Sequence, residues 1–380
     1  MSVLNSQRLN DARCIVIKVG SALLVDESGG LNRPWLESLC KDVAELRGRD
    51  AQVVVVSSGA IALGAAHLGL GSGRARLEDS QAAAAVGQIQ LAHAYQEALS
   101  DFGVGVAQVL LSLDDSESRR RYLNARGTLT TLLKKGVVPI VNENDTVATA
   151  EIRYGDNDRL AARVAEMVSA DVLVLLSDVD GLYSADPRQD PTAEHVAEVH
   201  QISNAIRAMA SGNASRLGSG GMVTKLDAAA IALAAGCSMA ITRGDVHSPI
   251  EALCSGARAS WFLAEATPRS ARKQWIGGTL QPRGSLHVDA GAYQALKGGS
   301  SLLPAGVVAI DGQFERGDAV RVLFDDVEIA RGLVAYPAVE AAKIAGRRSA
   351  DIAELLGYCG RDEMIHRDDL VFAHVKDASE

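Results

Sequence analysis

The 380-residue chain lacks the features that mark secreted, membrane-bound or nucleic-acid-binding proteins. Residues 1–13 are polar and hold no apolar run of the kind that a signal peptide has. No stretch approaches the roughly 18 consecutive apolar residues that a membrane-spanning helix needs. We therefore expect a cytoplasmic protein that makes no membrane contact.

Aromatic residues and paired cysteines are also scarce. Aromatic residues make up 4% of the chain, so a core must depend on Ala, Val, Leu and Ile. An odd set of cysteines with no Cys-x-x-Cys pair is typical of buried free thiols, not of disulfides or a zinc site. The five cysteines are Cys14, Cys40, Cys237, Cys254 and Cys359.

Excess positive charge is absent as well. The formal net charge is −9, and residues 283–380 alone hold 16 acidic and 11 basic side chains. Affinity for a phosphate backbone needs clustered Lys and Arg, so nucleic-acid binding is not expected.

The sequence does contain alternating strand and helix patterns over its first two thirds. A hydrophobic fraction of 47% with 36 glycines fits a compact α/β enzyme of two domains. Short apolar runs predict buried strands, and apolar residues spaced three and four apart predict helices. Strands are predicted at 14–19, 52–56, 104–111, 137–141, 172–176 and 239–242, and helices after Asn32 and at 119–135, 156–168 and 222–235. This alternation indicates a three-layer sandwich around a mainly parallel sheet.

The pattern changes near residue 266. A polar join rich in Pro, Gly and Arg is followed by short strand patterns separated by Gly and Asp turns. We therefore predict a large α/β first domain at 1–265, a linker at 266–282 and a small β-rich domain at 283–380. In a parallel sheet, ligands gather at the carboxyl ends of the strands, where candidate site residues are sought.

Two candidate site residues, Lys18 and Ser58, lie at the ends of the first two predicted strands. Lys18 lies inside a buried strand pattern, which is costly unless its charge has a partner. It is either a phosphate clamp or a lysine reaching solvent from an edge strand. Ser58, in Ser-Ser-Gly after the second strand, either helps to bind an anion at a helix N-terminus or simply caps that helix.

Two clusters of Asn and Asp follow the fourth strand, Asn-Glu-Asn-Asp ending at Asp145 and Gly-Asp-Asn-Asp ending at Asp158. Their side chains suit recognition of an ammonium group or of magnesium-bound water, although the same residues favour ordinary turns. Asp178 follows the fifth strand, and it likewise either binds a ligand or forms an ordinary turn.

A glycine-rich segment, residues 218–225, opens a predicted helix. Its glycines expose backbone donors to phosphates, Thr224 adds a hydroxyl and Lys225 adds charge. It is neither a Walker loop nor a dinucleotide fingerprint, because neither GK[ST] nor G-x-G-x-x-G is present.

Together these motifs resemble the amino-acid kinase family, and within it the glutamate 5-kinases. The stretches VIKVGSALL, VVVVSSGAIALG, VVPIVNENDTVATAEIRYGDND, LLSDVDGLYSADPR and GSGGMVTKLDAA occur in the family's order. SSLLPAGV, FERGDAVRV and HRDD resemble its C-terminal PUA domain. The resemblance implies ATP-dependent phosphorylation of the side-chain carboxylate of L-glutamate to L-glutamyl 5-phosphate, the first step of proline biosynthesis.

Residue roles follow from the resemblance. It implies that Lys18 and Lys225 contact the transferring phosphoryl group and that Asp158 orients them. It implies a glutamate site of Ser58, Asp145 and Asn157. It implies an ATP site of Lys18, Ser177, Asp178, Ser219, Gly220, Gly221, Met222, Val223, Thr224 and Lys225. Ser177 and Ser219 depart from the family, where threonine is frequent, but both keep the hydroxyl.

The resemblance also implies a metal ion, an inhibitor and protein partners for this reaction. Mg²⁺ beside the two lysines would offset the repulsion between carboxylate and triphosphate, although no direct metal ligand is nominated. The family implies L-proline as a feedback inhibitor and a homo-oligomer, a dimer or a tetramer. An acyl phosphate hydrolyses readily, so handover to glutamyl phosphate reductase is expected. Alternatives are a kinase of aspartate, N-acetylglutamate, carbamate or uridylate, or an RNA-binding protein acting through the PUA-like tail.

Overall fold

The computed structural model describes residues 2–26, 29–70, 76–147, 157–211, 221–278 and 280–372. The chain forms two compact units, Met1–Pro268 and Arg269–Glu380. The predicted boundaries at 265 and 283 stay predictions.

The first unit contains eleven of the helices and ten of the strands that lie in the described ranges. Its helices are α1 Ser2–Asp11, α2 Ser21–Leu24, α3 Arg33–Gly48, α4 Ala60–His67, α5 Leu77–Ser100, α6 Leu113–Glu117, α7 Arg119–Lys134, α8 Asn157–Val168, α9 Asn204–Ser211, α10 Met222–Ala234 and α11 Pro249–Cys254. Its strands are β1 Cys14–Val19, β2 Gln52–Val56, β3 Val106–Leu111, β4 Val138–Glu143, β5 Val172–Ser177, β6 Leu182–Tyr183, β7 His195–Val196, β8 Glu198–Val199, β9 Ser238–Arg243 and β10 Ala259–Phe262.

Eight of these strands form one sheet in the order β3-β4-β2-β1-β5-β9-β10-β8. Among the described residues every neighbouring pair is parallel except β9 with β10. The six predicted strands are confirmed to within two residues at each end. In β1, β2, β4, β5 and β9 the β-branched and leucine runs are buried on both faces, as parallel strands between two helix layers require. β3 lies at the edge of the sheet and is only half-buried, which corrects the prediction of a buried strand there.

The sheet separates two hydrophobic cores, because alternate strand residues point to opposite faces. In β1, Ile15 and Ile17 pack with α3 and α5, whereas Cys14 and Val16 pack with α7, α8 and α10. The predicted three-layer sandwich is therefore confirmed. The same alternation puts Lys18 on the face that carries α8 and α10.

Helix α3 begins where the sequence predicts. The Asn32 side chain accepts a hydrogen bond from the Trp35 backbone N–H, and a proline occupies the first turn. An asparagine cap satisfies a backbone donor that has no partner inside the helix, and proline there loses nothing because its missing N–H is one of those donors.

The 24-residue helix α5 is not among the sequence predictions. It crosses α4 with their backbones in contact at Gly64 and Gly87. A Cβ added at Gly64 would lie 1.8 Å from the Ala83 carbonyl oxygen, and one added at Gly87 would lie 1.8 Å from that of Ala60. This crossing brings α5 unusually close to the end of the sheet where β2 runs into α4.

The second unit contains a separate five-stranded sheet in the order β12-β11-β13-β14-β15. Its helices and strands are α12 Pro268–Gly278, α13 Ala290–Lys297, α14 Ala338–Ile344, α15 Ile352–Leu356, β11 Gly284–Val288, β12 Val307–Gly312, β13 Ala319–Phe324, β14 Val327–Leu333 and β15 Leu370–Phe372. Three short 3₁₀ helices accompany them, at Pro304–Gly306, Ser349–Asp351 and Arg367–Asp369. The predicted β-rich C-terminal domain is confirmed.

Helix α12 corrects the prediction of a turn-rich join. Ile276 is buried with Ala319 and Leu333, and the Arg272 guanidinium pairs with Asp369 at 2.6 Å. An apolar contact and a buried ion pair thus fix a helix where the polar sequence suggests turns. Thr279, after this helix, lies outside the described residues.

All five cysteines are free, as predicted, but not all are buried. Cys14, Cys40 and Cys237 are buried, Cys254 is half-buried and Cys359 is exposed, which corrects the prediction for the last two. Cys359 lies three residues after the end of α15. In the part of the chain that the structure describes, no helix is both long and apolar enough to span a bilayer.

Candidate active site

The site residues gather where five parallel strands end. The strands β1, β2, β4, β5 and β9 are neighbours in the order β4-β2-β1-β5-β9, so their carboxyl ends share one edge of the sheet. Lys18 is opposite Val56 of β2 and Leu175 of β5. Lys18 therefore lies in the centre of the sheet, and the edge-strand interpretation of this lysine is wrong.

Lys18 and Lys225 share one carboxylate, that of Asp158. The Lys18 ammonium Nζ lies 2.6 Å from Asp158 Oδ1, and Lys225 Nζ lies 3.2 Å from Asp158 Oδ2. Exposed fractions are 9% for Lys18, 5% for Lys225 and 0% for Asp158. Two cations held on either side of a buried anion leave one net positive charge, which is the arrangement needed to receive a phosphoryl group.

Burial opposes ionisation of Asp158, but Lys18 and Lys225 outweigh it and hold the pKa of that carboxyl below its usual value. Thr224 also donates its hydroxyl to Asp158 Oδ2 at 3.0 Å. The carboxylate stays ionised at neutral pH and fixes the directions of both ammonium groups.

Helices α8 and α10 bring these side chains together. Asp158 is in the first turn of α8, where the helix dipole favours an anion. Thr224 and Lys225 lie in the first turn of α10, which begins after Gly221. The Thr224 hydroxyl is also 2.9 Å from the Gly221 carbonyl, so its single hydrogen is shared between this oxygen and Asp158.

Ser58 and Asn157 meet beside the lysine pair. Asn157 Nδ2 donates to Ser58 Oγ at 2.7 Å and to the Ser57 carbonyl at 3.2 Å. The N-cap of α4 is Gly59, at φ +98°, so Ser58 does not cap that helix and the capping interpretation is wrong. Because Asn157 precedes Asp158, this polar pair lies next to the lysine-bound carboxylate.

Asn142, the first residue of the Asn-Glu-Asn-Asp cluster and the last buried residue of β4, joins this pair. Its Nδ2 donates to Gln88 Oε1 at 2.7 Å, and its Oδ1 accepts from Asn157 Nδ2 at 3.3 Å. Gln88 comes from α5, which packs on the opposite face of the sheet from α8.

Asp145 lies in the turn after β4, two residues beyond the strand end. Burial raises the pKa of its carboxyl from 3.8 to about 6. Within the described residues no basic side chain forms an ion pair with Asp145. A half-buried carboxylate that no described basic residue pairs with suits a ligand that brings its own positive charge.

A separate cavity of about 350 Å³ lies after β5 and β9. Predicted residues Asp178 and Met222 line it, and the Ser177 hydroxyl donates to Asp178 Oδ1 at 3.0 Å. Arg188 and Arg243 also line it. Met222 stands one helical turn before Lys225, so α10 connects this cavity to the lysine pair.

Of the remaining predicted site residues, one is exposed and others lie outside the described residues. The Val223 side chain is 49% exposed. Ser219 and Gly220, and the Gly155 and Asp156 of the second cluster, lie outside the described residues.

Sequence reasoning missed Gln88, Arg188 and Arg243. Arg243 is the last residue of β9, so the rule that ligands gather at strand ends would have found it. Gln88 lies on the apolar face of α5, because Ala84, Leu91 and Tyr95 are buried at helical spacing from it. A single glutamine among these apolar residues is the sequence signal that could have identified Gln88 as a candidate site residue.

Comparison with protein families agrees with this fold. The model of the amino acid kinase family matches residues 13–243, and that of the PUA domain matches residues 284–356. The chain belongs to the amino acid kinase family and carries a PUA domain.

Similarity to individual proteins narrows the family to one group of enzymes. The chain is 59% identical to glutamate 5-kinase of Paramagnetospirillum magneticum, over 95% of this chain and 98% of that protein. It is 57% identical to glutamate 5-kinase of Rhizobium etli, over 97% and 95%. A carbamate kinase from Giardia lamblia bound to AMP-PNP is similar in structure, with a TM-score of 0.48 and 17% identity over 67% of this chain and 100% of that one. Both of these relatives of high sequence identity to the chain are thus glutamate 5-kinases.

Proposed function

We propose that this protein transfers the terminal phosphoryl group of ATP to the side-chain carboxylate of L-glutamate, forming L-glutamyl 5-phosphate and ADP. The observation that carries the proposal is the ion triplet Lys18–Asp158–Lys225 at the edge of the sheet. The relatives of 57–59% identity, all glutamate 5-kinases, support the choice of substrate.

The proposed amino-acid site and the proposed nucleotide site lie on two sides of this ion triplet. On one side, the Ser58 hydroxyl, the Asn157 amide and the Asp145 carboxylate would hold the amino acid. On the other side, the cavity beside Asp178 would hold the nucleotide, with the N-terminus of α10 nearest its phosphates. Lys18 and Lys225 then face the transferring phosphoryl group from the buried side.

No general base is needed for this transfer. The glutamate side chain has a pKa of about 4.3 in solution, so it is already a nucleophilic carboxylate near pH 7. A carboxylate oxygen forms the new bond to the γ-phosphorus, and the bond to the bridging oxygen of ADP breaks with its electrons going to ADP. Two unit charges about 4 Å apart repel by roughly 4 kcal/mol at an effective dielectric near 20, which the lysines offset.

Mg²⁺ is proposed as the companion of ATP and not as a resident metal. In the described parts of the chain no group of three or more His, Cys, Asp and Glu side chains could hold a metal ion. Asp158 is already occupied by two lysines. Mg²⁺ commonly binds through substrate phosphates and one or two carboxylates, so it would enter the site together with ATP.

The substrate is tested by trapping the acyl phosphate with hydroxylamine while ADP release is measured. L-Glutamate, L-aspartate and N-acetyl-L-glutamate are compared at equal concentration. We expect hydroxamate formation with L-glutamate alone, because Asp145 and Asn157 would recognise a free ammonium at one fixed distance from the reacting carboxylate. Equal turnover of either other substrate would refute the assignment.

The raised pKa of Asp145 predicts a pH-dependent KM for L-glutamate. Asp145 attracts an ammonium group only when ionised, and its pKa of about 6 means that the ionised form is lost as pH falls below that value. We expect KM for L-glutamate to rise by up to about ten-fold per pH unit below 6 while KM for ATP stays constant. The substrate's own side chain, with a pKa of about 4.3, stays ionised in this range.

Asp145→Asn is the matched control for that measurement. The variant has no titrating group at this position, so its KM for L-glutamate should be high at every pH and nearly flat between pH 5 and pH 8. A variant with the same pH profile as the natural protein would show that another group causes the dependence.

Wider roles follow from the same proposal. We propose that the protein acts in the cytoplasm as a homo-oligomer, that L-proline inhibits it, and that its labile product passes to glutamyl phosphate reductase. The C-terminal domain is proposed to be structural or regulatory, since residues 283–380 hold more acidic than basic side chains.

A further inference from the structure

Three side-chain amides form a continuous chain through the amino-acid side of the site. Gln88 Oε1 accepts from Asn142 Nδ2 at 2.7 Å, and Asn142 Oδ1 accepts from Asn157 Nδ2 at 3.3 Å. Gln88 comes from α5 and Asn157 from α8, helices on opposite faces of the sheet, and Asn142 comes from β4 within the sheet between them.

Two backbone groups decide which way these amides point. The Glu143 backbone N–H donates at 2.9 Å, so the Asn142 atom that it meets is the oxygen. The Ser57 carbonyl accepts at 3.2 Å, so the Asn157 atom facing it is the nitrogen. The remaining contact of Asn142 must then be made by its NH₂ group, for which Gln88 supplies an oxygen.

This arrangement leaves one acceptor and one donor buried without a hydrogen-bond partner among the described residues. They are Asn157 Oδ1 and Gln88 Nε2. Buried polar atoms in folded proteins are normally paired, so the Asn157 oxygen is explained if a ligand donates a hydrogen bond to it. An amino acid brings such a donor, its ammonium group.

We infer that Gln88 is a positioning residue for L-glutamate, acting through Asn142 to hold the Asn157 oxygen towards the substrate ammonium. This inference rests on the proposed function of the site. Gln88 is only 7% exposed, so its side chain is held by its surroundings and not by solvent. Without its oxygen, the Asn142 NH₂ group is buried and unpaired, and the amide chain loses its fixed direction.

The glycine crossing of α4 and α5 makes this reach possible. Gln88 follows Gly87, the residue at which a Cβ would lie 1.8 Å from the Ala60 carbonyl. The close approach of α5 at this point places the glutamine side chain next to the end of β4. The same helix also holds Ser57, through a 3.2 Å contact between the Tyr95 and Ser57 hydroxyls.

The test replaces Gln88 by residues that differ in one property. Gln88→Met keeps the length of the side chain and removes the oxygen, whereas Gln88→Glu keeps an oxygen that accepts from Asn142. We expect Gln88→Met to raise KM for L-glutamate by about ten-fold, with kcat and KM for ATP changed less than about two-fold. Gln88→Glu should return KM for L-glutamate to within about three-fold of the natural value.

A double-mutant cycle separates this role from a merely structural one. Since Gln88 acts through Asn157, adding Gln88→Met to Asn157→Ala should raise KM by no more than about two-fold further. Thermal melting checks that each variant is folded, and Gln88→Asn, one methylene shorter, replaces Gln88→Met if the latter does not fold.

Two results would overturn the inference. One is an unchanged KM for L-glutamate in both Gln88→Met and Gln88→Asn. The other is a parallel rise of both KM values with a full multiplicative effect in the Asn157→Ala background, which would show a structural role. If the natural protein forms no hydroxamate from L-glutamate, the proposed function fails instead, and that outcome is seen before any variant is made.

Discussion

Replacing Lys225 by alanine should lower kcat for L-glutamate by about a thousand-fold or more, and Lys18→Ala should do the same. The two lysines and Asp158 together carry one net positive charge. Removal of either lysine leaves a neutral pair, because the remaining ammonium is matched by the buried carboxylate. Nothing then offsets the charge that develops on the transferring phosphoryl group.

The same charge balance makes the double variant the slowest of the three. Lys18→Ala/Lys225→Ala leaves Asp158 without either lysine, so the net charge of the site changes from one positive to one negative and repels the phosphoryl group. The rates come from the hydroxamate assay, with thermal melting to confirm folding. Lys41→Ala is the matched control, because Lys41 is an exposed lysine paired with Glu45 on α3. Retention of more than about a tenth of the natural kcat in either single variant would contradict the proposed role.

Gly87→Ala should lower the free energy of unfolding of the first unit by about 3 kcal/mol. The new Cβ would meet the Ala60 backbone oxygen at 1.8 Å, so a whole helix has to move and no flexible side chain can yield instead. Gly64→Ala should have a similar cost, since its Cβ would meet the Ala83 backbone oxygen at the same distance.

Gly48→Ala controls for the helix preference of alanine. Gly48 is the last residue of α3, and a Cβ there meets nothing within 4 Å. We expect this variant to be unchanged or more stable by up to about 1 kcal/mol. Denaturant unfolding followed by the fluorescence of Trp35 and Trp261, both buried in the first unit, reports the difference. Equal stability of Gly87→Ala and Gly48→Ala would show that the helix crossing tolerates a methyl group.

Local pattern predicted most of the first unit. Runs such as 14–19 and 52–56 are too short and too uniformly apolar for surface helices, and both are strands with the predicted ends. The capped start of α3 was equally readable from Asn32. Helix α5 was not, because its alanine-rich sequence lacks a strong apolar stripe and its burial depends on the crossing with α4.

Contacts between elements explain the other errors. The sequence of Pro268–Gly278 predicts a polar join, yet the segment is a helix in which Arg272 pairs with Asp369, ninety-seven residues along the chain. Cys359 reads as a buried thiol because cysteines usually are, but its neighbours leave it exposed. Neither partner nor neighbour is visible in the local sequence.

The sequence alone determined that Lys18 lies in a strand, that Asp158 and Lys225 begin helices, and that all three belong to an α/β sandwich. These properties depend on residues a few positions apart, and backbone geometry fixes them locally. The sequence left open whether Lys18 was a clamp or an edge lysine and whether Ser58 was a ligand or a cap. Only the tertiary structure excludes the edge lysine and the helix cap, because strand order places β1 in the centre of the sheet and Gly59, not Ser58, begins α4. A buried charge takes its role from its partners, and the two partners that define this site, Asp158 and Lys225, lie far along the chain from Lys18.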